Sequence, residues 1–288
     1  MICIQNLSFS YPDQEPVLKN IDLNIAEGDY IAVIGPNGSG KTTLIKHLNA
    51  LLLPSAGEVL VDGLSTSNPK NLPEIRRRVG MIFQNPDNQI VGMSVEEDVA
   101  FGPGNLGLPP KEVRKRVDEA LEKVGLTNYK SRPPYTLSGG QKQLLAIAGV
   151  LAMDSRYIVL DEPTASLDPQ SNYKVLNLLK KLNYEGIGII HVTHNMDDLI
   201  IANRLLVMDQ GKLITDGPAA DILSQVESLK AIGLTPPKVT ELMYCLNQRG
   251  AAVATNICTV EEAVEEINSL LIKLQNPVDH NRRETEHV

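Results

Sequence analysis

The sequence predicts an α/β fold on a mainly parallel sheet, with an antiparallel β-layer before it, a helical insertion within it and a small C-terminal α-rich appendix. Three observations carry that prediction. An apolar run, Tyr30-Ile31-Ala32-Val33-Ile34, passes through a Gly-rich loop, Gly35 to Thr43, into a pattern whose apolar residues Leu44, Ile45, Leu48, Leu51 and Leu52 share a helix face. A second apolar run, Tyr157-Ile158-Val159-Leu160, ends in Asp161-Glu162. From there strand and helix patterns alternate, which calls for parallel pairing with both faces of the sheet covered.

Taken in order, Ile2 to Tyr11 alternates as a half-buried strand, Pro12-Asp13 turns, and Val17 to Ile25 alternates again. Pro54 closes the first helix, and Gly57 to Gly63 is a short strand ending in a turn. Val79 to Phe83 is a buried strand running directly into Gln84. Six prolines break residues 85–136 into short helices and loops, with a capping box at Ser94–Glu97 and an apolar face of Val113, Val117, Leu121 and Val124. Gly188 to Val192 is a strand ending at Thr193-His194, and Leu205 to Ile214 is a hairpin turning at Asp209-Gln210-Gly211. Beyond Gln225 the expected helices put Leu242 and Leu246, then Ala263, Ile267, Leu270, Leu271 and Leu274, on apolar faces. The expected domains are therefore 1–225, with a helical insertion over about 85–153, and 226–288, a dimerisation or regulatory appendix with a frayed tail from Asn276 to Val288.

Composition narrows the function. With 288 residues, 42% hydrophobic and 22% charged, the chain reads as an ordinary globular protein, and its net charge of −8 gives a nucleic-acid-coating role no electrostatic support. Cys3, Cys245 and Cys258 are far apart and form no metal or disulfide framework. The apolar stretch Leu144 to Met153 is too short to span a bilayer, and no signal peptide is visible, so a cytoplasmic protein is expected.

The loop Gly35-Pro36-Asn37-Gly38-Ser39-Gly40-Lys41-Thr42-Thr43 has the G-x-x-x-x-G-K-[ST] spacing between a strand and a helix. Its glycines let backbone N–H groups curl around a phosphate, and the helix start adds its positive end. Lys41 is expected to reach the β- and γ-phosphates and Thr42 to bind Mg²⁺. The competing reading, a glycine-rich turn with Lys41 solvated, does not account for both flanks. Asp161, at a strand's C-terminal end, is placed to hold Mg²⁺ through water, and Glu162 to polarise the water attacking the γ-phosphate. Ser138-Gly139-Gly140-Gln141 is a capping box, and its two glycines also leave N–H groups open to an anion. A second cradle of this kind makes most sense if it serves another molecule's nucleotide.

Together, Tyr11, the Gly35–Thr43 loop, Gln84, Leu137-Ser138-Gly139-Gly140-Gln141, Asp161-Glu162, Ser166-Leu167-Asp168 and His194 resemble ABC transporter ATPase subunits in order and spacing over residues 1 to about 225. The resemblance implies a P-loop NTPase fold of ABC type and a head-to-tail dimer with two ATP molecules, each between the Lys41 loop of one subunit and the Ser138 motif of the other. It implies that Tyr11 stacks on adenine, that Gln84 senses Mg²⁺ and the membrane partner, that His194 contacts the γ-phosphate, and that Asp168 links the two sites. Gln84-Asn85-Pro86-Asp87-Asn88-Gln89, with residues 137–149 and the Thr235-Pro236-Pro237 appendix, is similar to the ATPases of energy-coupling factor (ECF) importers of vitamins or transition-metal ions. That similarity implies a groove at Gln84–Asp87 receiving a transmembrane coupling subunit, with Asp87 pairing to its arginines, a separate substrate-binding membrane subunit, and residence on the cytoplasmic face of the membrane. Leu144 departs from the arginine that many relatives carry there. The other readings are an ABC ATPase of a different transporter type, a soluble ABC protein acting on ribosomes or DNA, and an inactive scaffold. The single cassette, the negative charge and the presence of Lys41, Asp161, Glu162 and His194 speak against the last two.

Overall fold

The computed structural model describes residues 1–275, so the expectation of a frayed tail over Asn276–Val288 lies outside the described residues. The chain opens with β1 (Ile2–Phe9), β2 (Leu18–Ile25), β3 (Tyr30–Ile34) and α1 (Lys41–Leu48), followed by β4 (Ala56–Val61), β5 (Leu64–Ser65), α2 (Leu72–Arg78) and β6 (Val79–Ile82). A helical stretch follows: α3 (Val95–Asn105), α4 (Pro110–Lys123) and α5 (Gly139–Ala152). Then come β7 (Tyr157–Asp161), α6 (Pro169–Tyr184), β8 (Gly188–Val192), β9 (Arg204–Asp209) and β10 (Lys212–Pro218). The last helices are α7 (Ala219–Leu223), α8 (Val226–Ala231), α9 (Lys238–Gln248) and α10 (Val260–Gln275).

Two sheets form. One is antiparallel, in the order β2-β1-β4-β5; the other runs β10-β9-β3-β8-β7-β6 and is parallel except for β10. In β1 the buried residues are Ile2, Ile4, Leu7 and Phe9, so the alternation slips by one residue in the middle. The register shifts at that point, where Asn6 takes φ +49: a bulge absorbs the extra residue and returns Leu7 to the core side. Every residue of β3, β6, β7 and β8 is buried, the signature of strands covered on both faces.

Three expected helix faces are corrected. α1 stops at Leu48, because Ala50 turns left-handed at φ +56, so Leu51 is not on the helix and is 44% exposed. The capping boxes at Ser94 and Ser138 form with both reciprocal hydrogen bonds, and on α4 Glu112 and Arg116, four residues apart, pair at 2.8 Å. One compact unit spans Met1–Ala219 and a second begins at Ala220. The second has its own small core of Met243, Val253, Ile257 and Ala263, with Leu246, Ile267 and Leu270 packed on it. In α9 the inward positions are Val239, Met243 and Leu246, which leaves Leu242 exposed; Leu271 of α10 is likewise exposed, and the side chain of Leu274 lies outside the described residues.

Candidate functional site

Strand order assembles the site. β3, β8, β7 and β6 are neighbours pointing the same way, so their C-terminal ends lie side by side. The segments leaving those ends carry the Gly-rich loop, Thr193-His194, Asp161-Glu162 and Gln84. The carboxyl edge of an open parallel sheet is where such folds bind ligands.

At the loop, Gly35 has φ +154, and a side chain there would run into the Met208 carbonyl oxygen at 2.1 Å. Gly38 has φ +78 with open space on its side-chain side, the opening that an approaching phosphate requires. The Ser39 hydroxyl is buried without a hydrogen-bond partner. Lys41 is buried, and its Nζ donates to the carbonyls of Gly35 (2.7 Å) and Pro36 (3.0 Å). Burial pulls its ammonium below the usual lysine range, while Glu162 and Asp161 pull the other way. A buried cation whose hydrogen bonds go to neutral carbonyls gains from an anion, and these residues fit a triphosphate. Asn37 is exposed on the loop. Tyr11 packs edge-on against Phe9, with ring centroids 4.9 Å apart, and its hydroxyl lies 3.3 Å from Thr43 Oγ1.

The two adjacent acids face different ways. The Thr42 hydroxyl donates to Asp161 Oδ1 at 3.2 Å. Burial lifts Asp161 above the ordinary carboxylate range and the charge of Glu162 adds to this, against the Thr42 bond and the nearby lysines. Glu162 takes the left-handed conformation at φ +49, its N–H anchored to the Val192 carbonyl at 2.9 Å. That turn sends its carboxylate away from Thr42: Oε1 lies 2.7 Å from His194 Nε2, and Oε2 accepts from Gln84 Nε2 at 2.9 Å. Thr42 and Asp161 offer the hard oxygen donors that Mg²⁺ prefers, whereas Gln84, expected with them, is held by Glu162. Among the described residues no three His, Cys, Asp or Glu side chains cluster, so the pair suits a cation shared with phosphate oxygens rather than an all-protein cage. Beyond Glu162 and His194 opens a cleft of about 760 Å³ lined also by Leu167, Asn172, Tyr173 and Asp198.

The Ser138 motif is built differently from the loop. Every hydrogen bond made by Ser138 stays within the first turn of α5, with Gln141 and Lys142. Gly139 is exposed, but Gly140 is buried, and a Cβ on it would sit 2.5 Å from Ser171 Oγ and 2.6 Å from Ser171 Cβ. Gly140 is thus required by the α5–α6 contact as well as by any anion. Asp168 caps α6, accepting from the Ser171 hydroxyl and from the N–H groups of Ser171 and Gln170, which hold its carboxyl below the usual range. Asp87, expected to face a partner's arginines, pairs within the chain: Lys142 Nζ lies 2.6 Å from its Oδ1.

Sequence reasoning missed Asp198, a buried carboxylate touching the segments that carry Glu162 and His194. Its only trace in the sequence is a polar run, Thr193-His194-Asn195, then Met196 and two adjacent aspartates, and spacing does not say which of those turns inward.

Residues 18–165 match the family model described as ABC transporter. The cobalt import ATP-binding protein CbiO of Syntrophus aciditrophicus is 52% identical over 93% of this chain and 96% of its own length. The energy-coupling factor transporter ATP-binding protein EcfA1 of Caldanaerobacter subterraneus subsp. tengcongensis is 53% identical over 92% and 98%. Among solved structures, cbiO1 of Clostridium perfringens, part of the ABC transporter complex cbiONQ, superposes with a TM-score of 0.74 at 38% identity, covering 84% of this chain and 98% of that one. The dimeric bacterial ABC transporter cassette MJ0796 gives 0.68 at 34% identity over 76% and 99%. The chain belongs to the ABC transporter family, among the ATP-binding subunits of energy-coupling factor transporters.

Proposed function

We propose that this chain binds and hydrolyses ATP as one half of a paired cassette, and so drives an ECF-type importer of a vitamin or a transition-metal ion. The observation that carries the site assignment is the division of labour at the end of β7. Asp161 turns to Thr42, and Glu162 turns to His194 and Gln84, so cation holding and water activation fall to separate groups.

In this reading Lys41 and the N–H groups of the Gly35–Thr43 loop bind the phosphates, and Tyr11 lies against the base. Thr42 and Asp161 would hold Mg²⁺, with Gln84 beside them, and the ion would supply positive charge to the phosphates. Glu162 takes the proton of the attacking water, and His194 orients Glu162 and the γ-phosphate. Ser138, Gly139, Gly140 and Gln141 close on the nucleotide held by a second cassette, a reading that the exposure of Ser138 and Gly139 supports. Closure converts ATP binding into movement at the Gln84–Asp87 region, where a transmembrane coupling subunit docks beside a substrate-binding membrane subunit. No helix of the described residues is long and apolar enough to cross a membrane. The similarity to ATP-binding subunits of membrane transporters supports a peripheral place on the cytoplasmic face.

The test is to tag the protein, extract membranes with detergent and identify what co-purifies. Hydrophobic membrane subunits and an ABC cassette, its own copy or another, are expected. Recovery of ribosomal or DNA-bound partners in their place would overturn the transport reading.

A further inference from the structure

We propose that Asp198 is a positioning residue for hydrolysis, setting the distance between Glu162 and His194; this rests on the reading of Glu162 as the base. Asp198 lies on the short helical stretch Met196–Ile201 and is 1% exposed. Its Oδ2 accepts from the hydroxyls of Thr164 and Thr193, the latter at 3.2 Å. Its Oδ1 accepts from the side-chain amides of Asn195 (2.8 Å) and Asn172 (3.3 Å). Four donors fill the acceptor capacity of one carboxylate.

The origin of those donors gives the group its role. Thr164 is two residues past Glu162; Thr193 and Asn195 stand on either side of His194; Asn172 is on α6, which Asp168 caps. The Thr193 hydroxyl also accepts from the Asn195 N–H at 3.0 Å, and the Thr193 N–H reaches the Val33 carbonyl of β3. One buried carboxylate thus fastens the segment after the base and both flanks of the histidine, and Thr193 ties that cluster to the strand feeding the phosphate loop. Glu162 needs such fastening. A non-glycine residue at φ +49 persists where its surroundings over-determine it. An Asp198 carboxylate accepts from all four groups, whereas an amide there presents one edge that only donates.

The experiment compares full-length wild type with Asp198→Ala, Asp198→Asn, Thr164→Val, Thr193→Val and the double threonine variant, with Glu162→Gln alongside. ATP hydrolysis gives kcat, and a fluorescent ATP analogue gives nucleotide affinity. Asp198→Ala is expected to lower kcat by roughly thirtyfold or more and each threonine variant by about three- to tenfold, the scale of lost hydrogen bonds to a charged group. Nucleotide affinity should stay within about threefold, and Asp198→Asn should recover part of the loss, since the two hydroxyls can reverse towards its amide. If Asp198→Ala does not fold, the double threonine variant decides. A folded double variant with wild-type kcat, or affinity falling in step with kcat, overturns the proposal. Should Glu162→Gln itself keep turnover, the assignment of the base fails instead; with Glu162→Gln silent and the threonine variants at wild-type kcat, only the positioning role fails.

Discussion

His194 Nε2 stands 2.7 Å from Glu162 Oε1, and the other oxygen of the same carboxylate is taken by Gln84. Both oxygens of the assigned base are engaged by residues from neighbouring strand ends. Glu162→Gln replaces an acceptor-only group with one that donates from one edge, and it removes the basic oxygen. Turnover should fall by at least about a hundredfold, as losing a general base costs, while ATP binding is retained and the variant accumulates as a closed dimer on size-exclusion chromatography. Wild-type hydrolysis by this variant would remove Glu162 from its role.

Asp161 sets function against stability. Burial raises its pKa in the folded chain, so the folded state holds the proton more tightly than the unfolded state does. Stability therefore drops as pH rises from the ordinary carboxylate range through the raised value, and remains lower above it. Asp161→Asn keeps an acceptor for Thr42 and removes that penalty. The variant should melt at a higher temperature than wild type at neutral pH, lose this advantage as pH falls below the ordinary carboxylate range, and hydrolyse no ATP. A variant less stable than wild type at pH 7 would count against the burial argument.

Gly140 tests the contact between α5 and α6. An added Cβ meets the Cβ of Ser171 at 2.6 Å, so Gly140→Ala should destabilise the protein by about 1–3 kcal/mol, the cost of overpacking. Adding Ser171→Gly should return part of that stability in urea denaturation. If the single variant unfolds at the wild-type midpoint, the glycine is there for the nucleotide alone.

Asp87 pairs with Lys142 within the chain, and in the proposed function it is offered to a cation on a membrane subunit. The internal pair is half exposed and is worth ~1 kcal/mol or less, weak enough to be exchanged. Asp87→Arg should abolish co-purification of membrane subunits with nucleotide affinity intact. The charge swap Asp87→Lys with Lys142→Asp should restore the internal pair but not assembly. Assembly recovered by the swap would mean that the internal pair, and not a partner's cation, is what Asp87 serves.

The parts of the site legible in the sequence are those whose chemistry is local. Lys41, Thr42 and Asp161 sit at strand ends that apolar runs announce, and the capping box at Ser138 is written in four consecutive residues. What escaped depends on strand order. Nothing along the chain says that β8 lies between β3 and β7, yet that order brings His194 to Glu162 and gathers Thr164, Asn172, Thr193 and Asn195 around Asp198. The dual service of Gly140 was hidden for the same reason, because Ser171 belongs to another helix. In the second unit the inward face of α9 follows Met243 and not Leu242, a rotation that hydrophobicity alone leaves open.

The backbone twist at Glu162 also bears on how this protein can be engineered. A left-handed glutamate costs on the order of 1 kcal/mol that asparagine pays less readily. A screen that rewards heat resistance alone would drift towards asparagine at that position and hand back sturdy proteins that no longer turn over. Any effort to harden this cassette therefore has to select on work done per molecule as well as on survival.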